Sequence, residues 1–156
     1  MTVRFACEKD IPQMNSLLYQ VERVHQQGRP DLFIEGAKKY TDNELKAMLK
    51  DKTKPIFAAV DENDVMKGYA FCVFQEHKGD NVLTDIKTLY IDDLCVDENC
   101  RGQHIGSVLY EAVKKFAKEQ GCYNVTLNVW ECNPSARKFY EKAGLKPYKT
   151  GMEVIL

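Results

Sequence analysis

Residues 89–110 read LYIDDLCVDENCRGQHIGSVLY. An apolar run over 89–96 is typical of a buried strand, a polar turn follows over 97–103, and a helix comes next. The apolar residues of that helix recur at intervals of three and four, at positions 105, 108, 109, 112, 113, 116 and 117. A glycine-containing turn that opens into a helix leaves main-chain N–H groups unpaired at the positive end of the helix dipole. The stretch therefore predicts an anion site, most naturally for phosphate.

The patterns on both sides of this stretch predict a mixed sheet with flanking helices. Strands are predicted over 2–6, 55–60, 66–76, 82–96 and 123–130, with a short strand, a turn and a final strand in the tail 145–156. Helices are predicted over 11–27, 41–50 and 134–143, in addition to the central one. The central helix joins two neighbouring strands, so those strands are expected to run parallel in an otherwise antiparallel sheet. The fold class is α+β, or α/β by some conventions.

The composition predicts one soluble domain spanning residues 1–156. Hydrophobic residues make up 44% of the chain, and 22 basic residues nearly balance 23 acidic ones without a long basic run, which argues against binding to nucleic acid or membrane surfaces. There is no signal-peptide pattern and no apolar segment close to the roughly 20 residues that span a bilayer, which predicts a cytoplasmic protein. Six cysteines without a C-x-x-C pair, and no histidine at metal-ligand spacing, predict reduced thiols and no metal site.

Two motifs resemble the signatures of the GNAT superfamily of N-acetyltransferases. VDENCRGQHIGSVLYEAVKKFA (96–117) resembles its coenzyme A motif, in which the fourth strand runs into an R/Q-x-x-G-x-G/A loop and a long helix. NPSARKFYEKAGLKP (133–147) resembles its next signature, N-x-x-A-x-x-F-Y-x-x-x-G-F. The order and spacing of the motifs and of the predicted elements match this fold along essentially the whole chain. The resemblance implies that acetyl-CoA donates its acetyl group to a primary amine, which attacks it directly.

One residue departs from the coenzyme A motif. The loop reads R-x-x-H-x-G, with His104 at the position of the first motif glycine. Glycine lets a diphosphate approach without a Cβ in the way, so His104 is expected to weaken or adjust binding rather than abolish it. The two interpretations of His104 are a tolerated, partly exposed residue and a charge-assisted phosphate contact.

The resemblance also implies which residues bind acetyl-CoA. A bulge in the fourth strand is expected to splay it from the fifth and expose its main chain to the pantetheine arm; an ordinary buried strand is the alternative. Asn133 is expected to contact the same arm, and as the residue before a proline it is equally a helix N-cap. The implied cofactor-binding residues are Leu94, Cys95, Val96, Arg101, Gly102, Gln103, His104, Ile105, Gly106, Ser107 and Asn133.

Tyr140 and Asp92 are the predicted catalytic residues. By resemblance Tyr140 protonates the departing thiolate, which suits a phenol that is neutral at pH 7; the alternative is a packed partner of Phe139. Asp92 and Asp93 are acidic residues in an apolar strand, which is costly without a partner or a function. Side chains alternate along a strand, so only one of the two is expected to face the cleft, although a bulge could change which one, and Asp92 is the favoured base.

The acceptor is predicted to be a small cationic amine. YIDDLCV (90–96) resembles the corresponding strand of polyamine- and diamine-type acetyltransferases, and VHQQGRPDLFIEG (24–36) resembles a loop that roofs the acceptor pocket in some relatives. Asp93, Asp31 and Phe33 are the implied substrate contacts, although Pro30 and Asp31 equally suit a plain turn. The alternatives are a protein N-terminal or lysine acetyltransferase and a non-catalytic coenzyme A-binding regulatory module. A covalent route through Cys95, Cys100 or Cys132 is the alternative mechanism. The family and the apolar C-terminal segment MEVIL (152–156) also suggest a homodimer.

Overall fold

In a computed structural model, which describes residues 1–156, five strands form one sheet in chain order. The strands are β1 (Thr2–Phe5), β2 (Ile56–Val60), β3 (Met66–Glu76), β4 (Lys87–Val96) and β5 (Asn124–Leu127). Neighbouring strands from β1 to β4 run antiparallel, while β4 and β5 run parallel. This arrangement confirms the predicted α+β class and its single parallel crossover.

Four helices cover the two faces of the sheet. They are α1 (Ile11–Gly28), α2 (Asp42–Met48), α3 (Ile105–Glu119) and α4 (Pro134–Lys142). Helix α1 starts with proline in its first turn, and α2 starts with the predicted capping box between Thr41 and Glu44. One apolar core lies between the sheet and helices α1 and α2, and a second lies between the sheet and helix α3, with α4 packed at its edge. None of the helices combines the length and apolarity needed to cross a membrane.

Strand β4 carries a bulge that places two consecutive carboxylates on one face of the sheet. Phe71 pairs with Asp93, whereas the next residue, Cys72, pairs with Ile91, so Asp92 is an extra residue in β4. Ile91 packs in the α3 core, while Asp93 bonds to a tyrosine of the opposite core. The expectation that only one aspartate faces the cleft is therefore wrong, because the extra residue interrupts the alternation.

Several predicted strand residues lie outside the sheet. Strand β4 starts at Lys87 rather than at 82, because the Asp80 carboxylate accepts hydrogen bonds from the N–H groups of Val82 and Leu83 and forms a turn there. Strand β5 ends at Leu127, opposite Ile91, where β4 bulges away from it.

The two strands predicted in the tail are absent from the structure. Residues 145–156 form no strand, and the apolar side chains of Met152, Val154, Ile155 and Leu156 are exposed. A β-rich pattern makes a strand only where a partner edge is available, and no strand of this chain pairs with the tail.

Candidate active site

A gap opens between β4 and β5 at one end of the sheet. The two strands pair only from Thr88 to Ile91, whereas β4 continues to Val96 beside β3. One edge of residues 92–96 is therefore free of strand pairing, and it includes the predicted positions Leu94, Cys95 and Val96. An extended polar arm can form main-chain hydrogen bonds at such an edge. The geometry is the one implied by the resemblance, while the binding of the pantetheine arm stays a prediction.

The loop that follows β4 leaves a run of main-chain N–H groups without main-chain partners. The main-chain N–H groups of residues 101–107 donate no hydrogen bond to another main-chain group, and α3 starts within this segment. Gly102 and His104 both have a positive φ, at 79° and 61°. Successive unpaired N–H groups at a helix N-terminus suit a diphosphate. The residues present therefore fit the predicted acetyl-CoA, and their contacts with it stay a prediction.

His104 occupies the motif-glycine position in a left-handed backbone conformation. Its φ and ψ of 61° and 12° make it the N-cap of α3, although its side chain caps nothing. Glycine adopts this conformation without strain, whereas a residue with a Cβ pays about 1–2 kcal/mol for it. Histidine at the motif-glycine position therefore keeps the left-handed backbone that glycine would adopt, at a cost in stability.

The strain at His104 gives a direct prediction. We expect the variant His104→Gly to have a free energy of unfolding about 1 kcal/mol above that of His104→Ala, because alanine keeps the Cβ that strains the left-handed backbone. Urea denaturation of the two variants side by side measures the difference. Equal stabilities, or a less stable glycine variant, would show that the loop does not hold this residue in a strained conformation.

Helix α4 packs beside both the loop of residues 101–107, which we call the anion loop, and the gap between β4 and β5. A Cβ built on Gly106, in the first turn of α3, would lie 3.2 Å from the ring of Phe139, so the two helices approach closely at this glycine. The next residue, Tyr140, has its pKa raised by burial and by the nearby carboxylate of Asp93, and its hydroxyl has no hydrogen-bond partner in the chain. Asn133 caps α4 by accepting a hydrogen bond from the N–H group of Ala136 at 3.2 Å. Its predicted contact with the cofactor arm is untested.

Asp92 is held by two groups from the loop between α1 and α2. The ammonium group of Lys39 lies 2.9 Å from its carboxylate, and the hydroxyl of Tyr40 donates a hydrogen bond to the same oxygen. Burial and this hydrogen bond raise the pKa of Tyr40, so the phenol stays a donor. Asp92 therefore already binds an amine cation in this structure.

Asp93 lies deeper and has a raised pKa. The hydroxyl of Tyr69 donates a hydrogen bond to its carboxylate at 2.7 Å. Burial raises the pKa of Asp93 from 3.8 to about 6, against the opposing effects of the Tyr69 hydrogen bond and the Lys39 charge. A carboxyl group that titrates near neutral pH suits general base catalysis better than one with an ordinary pKa.

The cysteine route finds no support at Cys95. Its side chain is buried, its thiol lies 3.5 Å from the main-chain oxygen of Leu17, and burial raises the pKa of the thiol to about 12. A nucleophilic cysteine needs a lowered pKa, so Cys95 is a poor nucleophile. Cys132 packs closely against α1 beside Gly28.

Aromatic rings from three segments line the side of the cleft next to α1. Phe33 lies 5.2 Å from His25 and 5.2 Å from Trp130, measured between ring centroids. Burial lowers the pKa of His25, which favours the neutral ring. The structure therefore places Phe33 against two other aromatic rings, and its predicted contact with the acceptor stays a prediction. Asp31 instead forms an ion pair with Arg29, which also binds Glu153 of the tail.

Sequence reasoning missed several residues of this site. Tyr69 lies on β3, and its contact with Asp93 requires the strand register, which the sequence does not fix. Lys39 reaches Asp92 from the loop between α1 and α2, and nothing in its sequence position indicates this contact. His25 lies within VHQQGRPDLFIEG (24–36), the segment that resembles an acceptor-pocket loop, but no pattern in the sequence gives it a role.

Known proteins that resemble this chain include acetyltransferases. The family model described as "Acetyltransferase (GNAT) family" matches residues 18–145. A probable glucosamine 6-phosphate N-acetyltransferase 2 from Oryza sativa subsp. japonica is 36% identical over 58 residues, which cover 37% of this chain and 33% of that protein. The chain thus matches only about a third of the length of this curated relative.

Solved structures match over far more of the chain. A mutant of the BH1408 protein from Bacillus halodurans is 28% identical, covers 100% of this chain and 99% of its own, and superposes with a TM-score of 0.95. An aminoglycoside acetyltransferase from an uncultured soil metagenomic sample, in complex with sisomicin, is 21% identical, covers 99% of this chain and 94% of its own, and has a TM-score of 0.75. At that identity the second match supports the fold alone. The family match confirms the predicted family, whose members use acetyl-CoA as the acetyl donor, and the chain belongs to the acetyltransferase (GNAT) family.

Proposed function

We propose that this protein transfers an acetyl group from acetyl-CoA to the primary amine of a small cationic molecule. The observation that carries the proposal is the amine already held in the cleft, where the ammonium group of Lys39 lies 2.9 Å from Asp92 and the hydroxyl of Tyr40 binds the same carboxylate. A substrate ammonium can take the position of the Lys39 ammonium when the loop between α1 and α2 moves Lys39 away from Asp92. Acetyl-CoA supplies an activated thioester, and the anion loop and the free edge of β4 are the surfaces that fit its diphosphate and its arm.

The two aspartates suit different tasks. Asp92 is already in contact with an ammonium group, while Asp93, with a pKa of about 6, is suited to accept a proton. Moving a proton from an alkylammonium with a pKa near 10.4 to such a carboxyl group costs about 6 kcal/mol, about 3 kcal/mol less than moving it to an ordinary aspartate. We therefore assign amine binding to Asp92 and proton acceptance to Asp93; the earlier prediction of Asp92 as the base stays untested.

Tyr140 is the proposed proton donor to the leaving thiolate. Its hydroxyl has no partner in the chain, and its raised pKa keeps it protonated through neutral pH. The amine would lie near Asp92 and Asp93 and the thiolate near Tyr140, so that one group accepts the proton of the amine and another protonates the leaving group. A main-chain N–H group on the free edge of β4 is the proposed donor to the developing oxyanion.

An amino sugar is the first acceptor to test. It is a cationic amine, which suits the carboxylates, and its apolar ring face suits the aromatic wall of His25, Phe33 and Trp130. The name of the curated relative points to the same class of amine. Polyamines, the class of acceptor predicted from the sequence, are also cationic amines and suit the carboxylates for the same reason.

Thiol release from acetyl-CoA against a panel of acceptors tests the proposal. The panel contains glucosamine, glucosamine 6-phosphate, a polyamine, a peptide with a free N-terminus and a lysine peptide with a blocked N-terminus. We expect turnover with the small amines and little with the peptides. Preferred turnover of a peptide would support a protein acetyltransferase instead, and acetyl-CoA binding without any turnover would support a regulatory module. The predicted homodimer is a separate proposal, tested by the mass of the protein in solution.

A further inference from the structure

Lys39 places its own primary amine in the candidate acceptor site. Its nitrogen lies 2.9 Å from the carboxylate of Asp92, 3.3 Å from the main-chain oxygen of the same residue and 5.6 Å from the centre of the Tyr40 ring. A carboxylate together with an aromatic face is a typical site for an ammonium ion. The Lys39 side chain therefore occupies the position proposed for the substrate amine.

The charge of Lys39 also acts on two further carboxylates. Burial raises the pKa of Asp93 and of Glu22, and the positive charge of Lys39 lowers both of these pKa values. Asp93 in turn acts on Tyr140, the proposed proton donor. The Lys39 ammonium thus contacts one carboxylate, that of Asp92, and its charge also acts on the carboxylates of Asp93 and Glu22.

The preceding lysine provides a contrast within the same loop. The nitrogen of Lys38 lies 2.6 Å from the side-chain oxygen of Asn15 and 2.9 Å from the carboxylate of Asp42. These partners lie on α1 and α2 and belong to neither the bulge nor the gap. Two adjacent lysines of one loop therefore differ in whether they reach the site.

We propose that Lys39 is itself an acetyl acceptor, so that the protein acetylates its own acceptor loop when acetyl-CoA is bound and no other amine competes. This inference rests on the proposed acetyltransferase activity. It assigns a modification site to a residue that lies outside both family motifs.

The reaction balances in atoms and charge. The lysine nitrogen forms a bond to the acetyl carbon, and the bond from that carbon to sulfur breaks. The ammonium group loses two protons. The first passes to a carboxylate of the aspartate pair and on to water, and the second replaces the proton that Tyr140 gives to the sulfur. The products are a neutral amide, free coenzyme A and one proton released to solvent.

Acetylation would change the electrostatics of the site. The amide carries no charge, so the ion pair with Asp92 is lost and the three carboxylates no longer have this counter-charge.

Mass spectrometry of the protein after incubation with acetyl-CoA alone tests the inference. Cleavage after glutamate yields the peptide 36–44, which carries both Lys38 and Lys39, and fragmentation assigns the acetyl group to one of them. We expect one acetyl group per chain, on Lys39, forming at least about tenfold faster than on the exposed Lys115 because the amine is already positioned. Lys38 and Lys115 report the background of uncatalysed acetylation.

Two variants and a parallel assay make the outcome decisive. Lys39→Arg keeps the positive charge and should abolish the single equivalent of coenzyme A released without an acceptor. Tyr140→Phe should slow modification of Lys39 but not of Lys115. Equal rates at Lys38, Lys39 and Lys115 would overturn the inference. If small amines are turned over in parallel while Lys39 stays unmodified, the inference alone fails; if neither is acetylated, the proposed function fails with it.

Discussion

The variant Tyr140→Phe is expected to lower turnover about 100- to 1,000-fold while leaving the affinity for acetyl-CoA within about twofold of the original. Tyr140 is half-buried, its hydroxyl has no hydrogen-bond partner in the chain, and its pKa is raised by this partial burial and by Asp93. It therefore remains protonated across the neutral range and is free to donate to a leaving group. Phenylalanine keeps the ring that packs against Phe139 and removes only the proton donor.

Thiol release at saturating acceptor, together with calorimetric titration of acetyl-CoA, separates the two effects. Tyr123→Phe is the matched control, because Tyr123 is 76% exposed and lies outside the cleft, and this variant should behave like the original protein. An unchanged turnover number in Tyr140→Phe would remove Tyr140 from the mechanism. An equal loss of affinity and turnover would instead give it a role in packing the cofactor site.

The sequence predicted the parts of the site that lie within continuous motifs. The anion loop after β4 and the capped helix that carries Tyr140 depend on local signals, namely glycine, cap residues and helical periodicity. Asn133 does cap its helix, as its position before a proline suggests. Even the departure at His104 was visible in the sequence, although its left-handed backbone was not.

The parts that depend on pairing between distant segments could not be predicted in the same way. The bulge at Asp92 is a property of the register between β3 and β4, and one extra residue decides on which face a carboxylate lies. The contact between Lys39 and Asp92 joins a loop to a strand 53 positions away. The tail has the composition of a strand, yet its one side-chain ion pair to the rest of the chain joins Glu153 to Arg29.

The variant Asp93→Asn is expected to lower turnover about 100-fold and to remove the rise of activity with pH that is centred near 6. In the original protein Asp93 is a base only when ionised, so activity should rise as pH increases through its pKa of about 6. Asparagine cannot accept the proton at any pH. Asp92→Asn should instead weaken binding of the amine and keep the rise near pH 6. If the rise persists in Asp93→Asn and disappears in Asp92→Asn, Asp92 is the base.

The same variant is expected to be more stable than the original protein at neutral pH. The pKa of Asp93 is higher in the folded chain than its ordinary value of 3.8, so folding favours the protonated form and ionisation costs stability. This cost in folding free energy is absent below about pH 4, grows as the pH rises towards 6 and is constant at higher pH. A pKa raised from 3.8 to about 6 corresponds to a cost of about 2–3 kcal/mol there. Asparagine keeps an acceptor for the Tyr69 hydroxyl and avoids the buried charge.

Urea denaturation near pH 4 and near pH 8 measures this cost. The gain for Asp93→Asn should be present at the higher pH and small at the lower one, while Asp92→Asn, which loses an ion pair with Lys39, should show no such gain. A gain that does not depend on pH would point to packing rather than charge. A carboxylate that lowers stability at the pH where the site would act suits a catalytic role, because a purely structural position would be filled better by the amide.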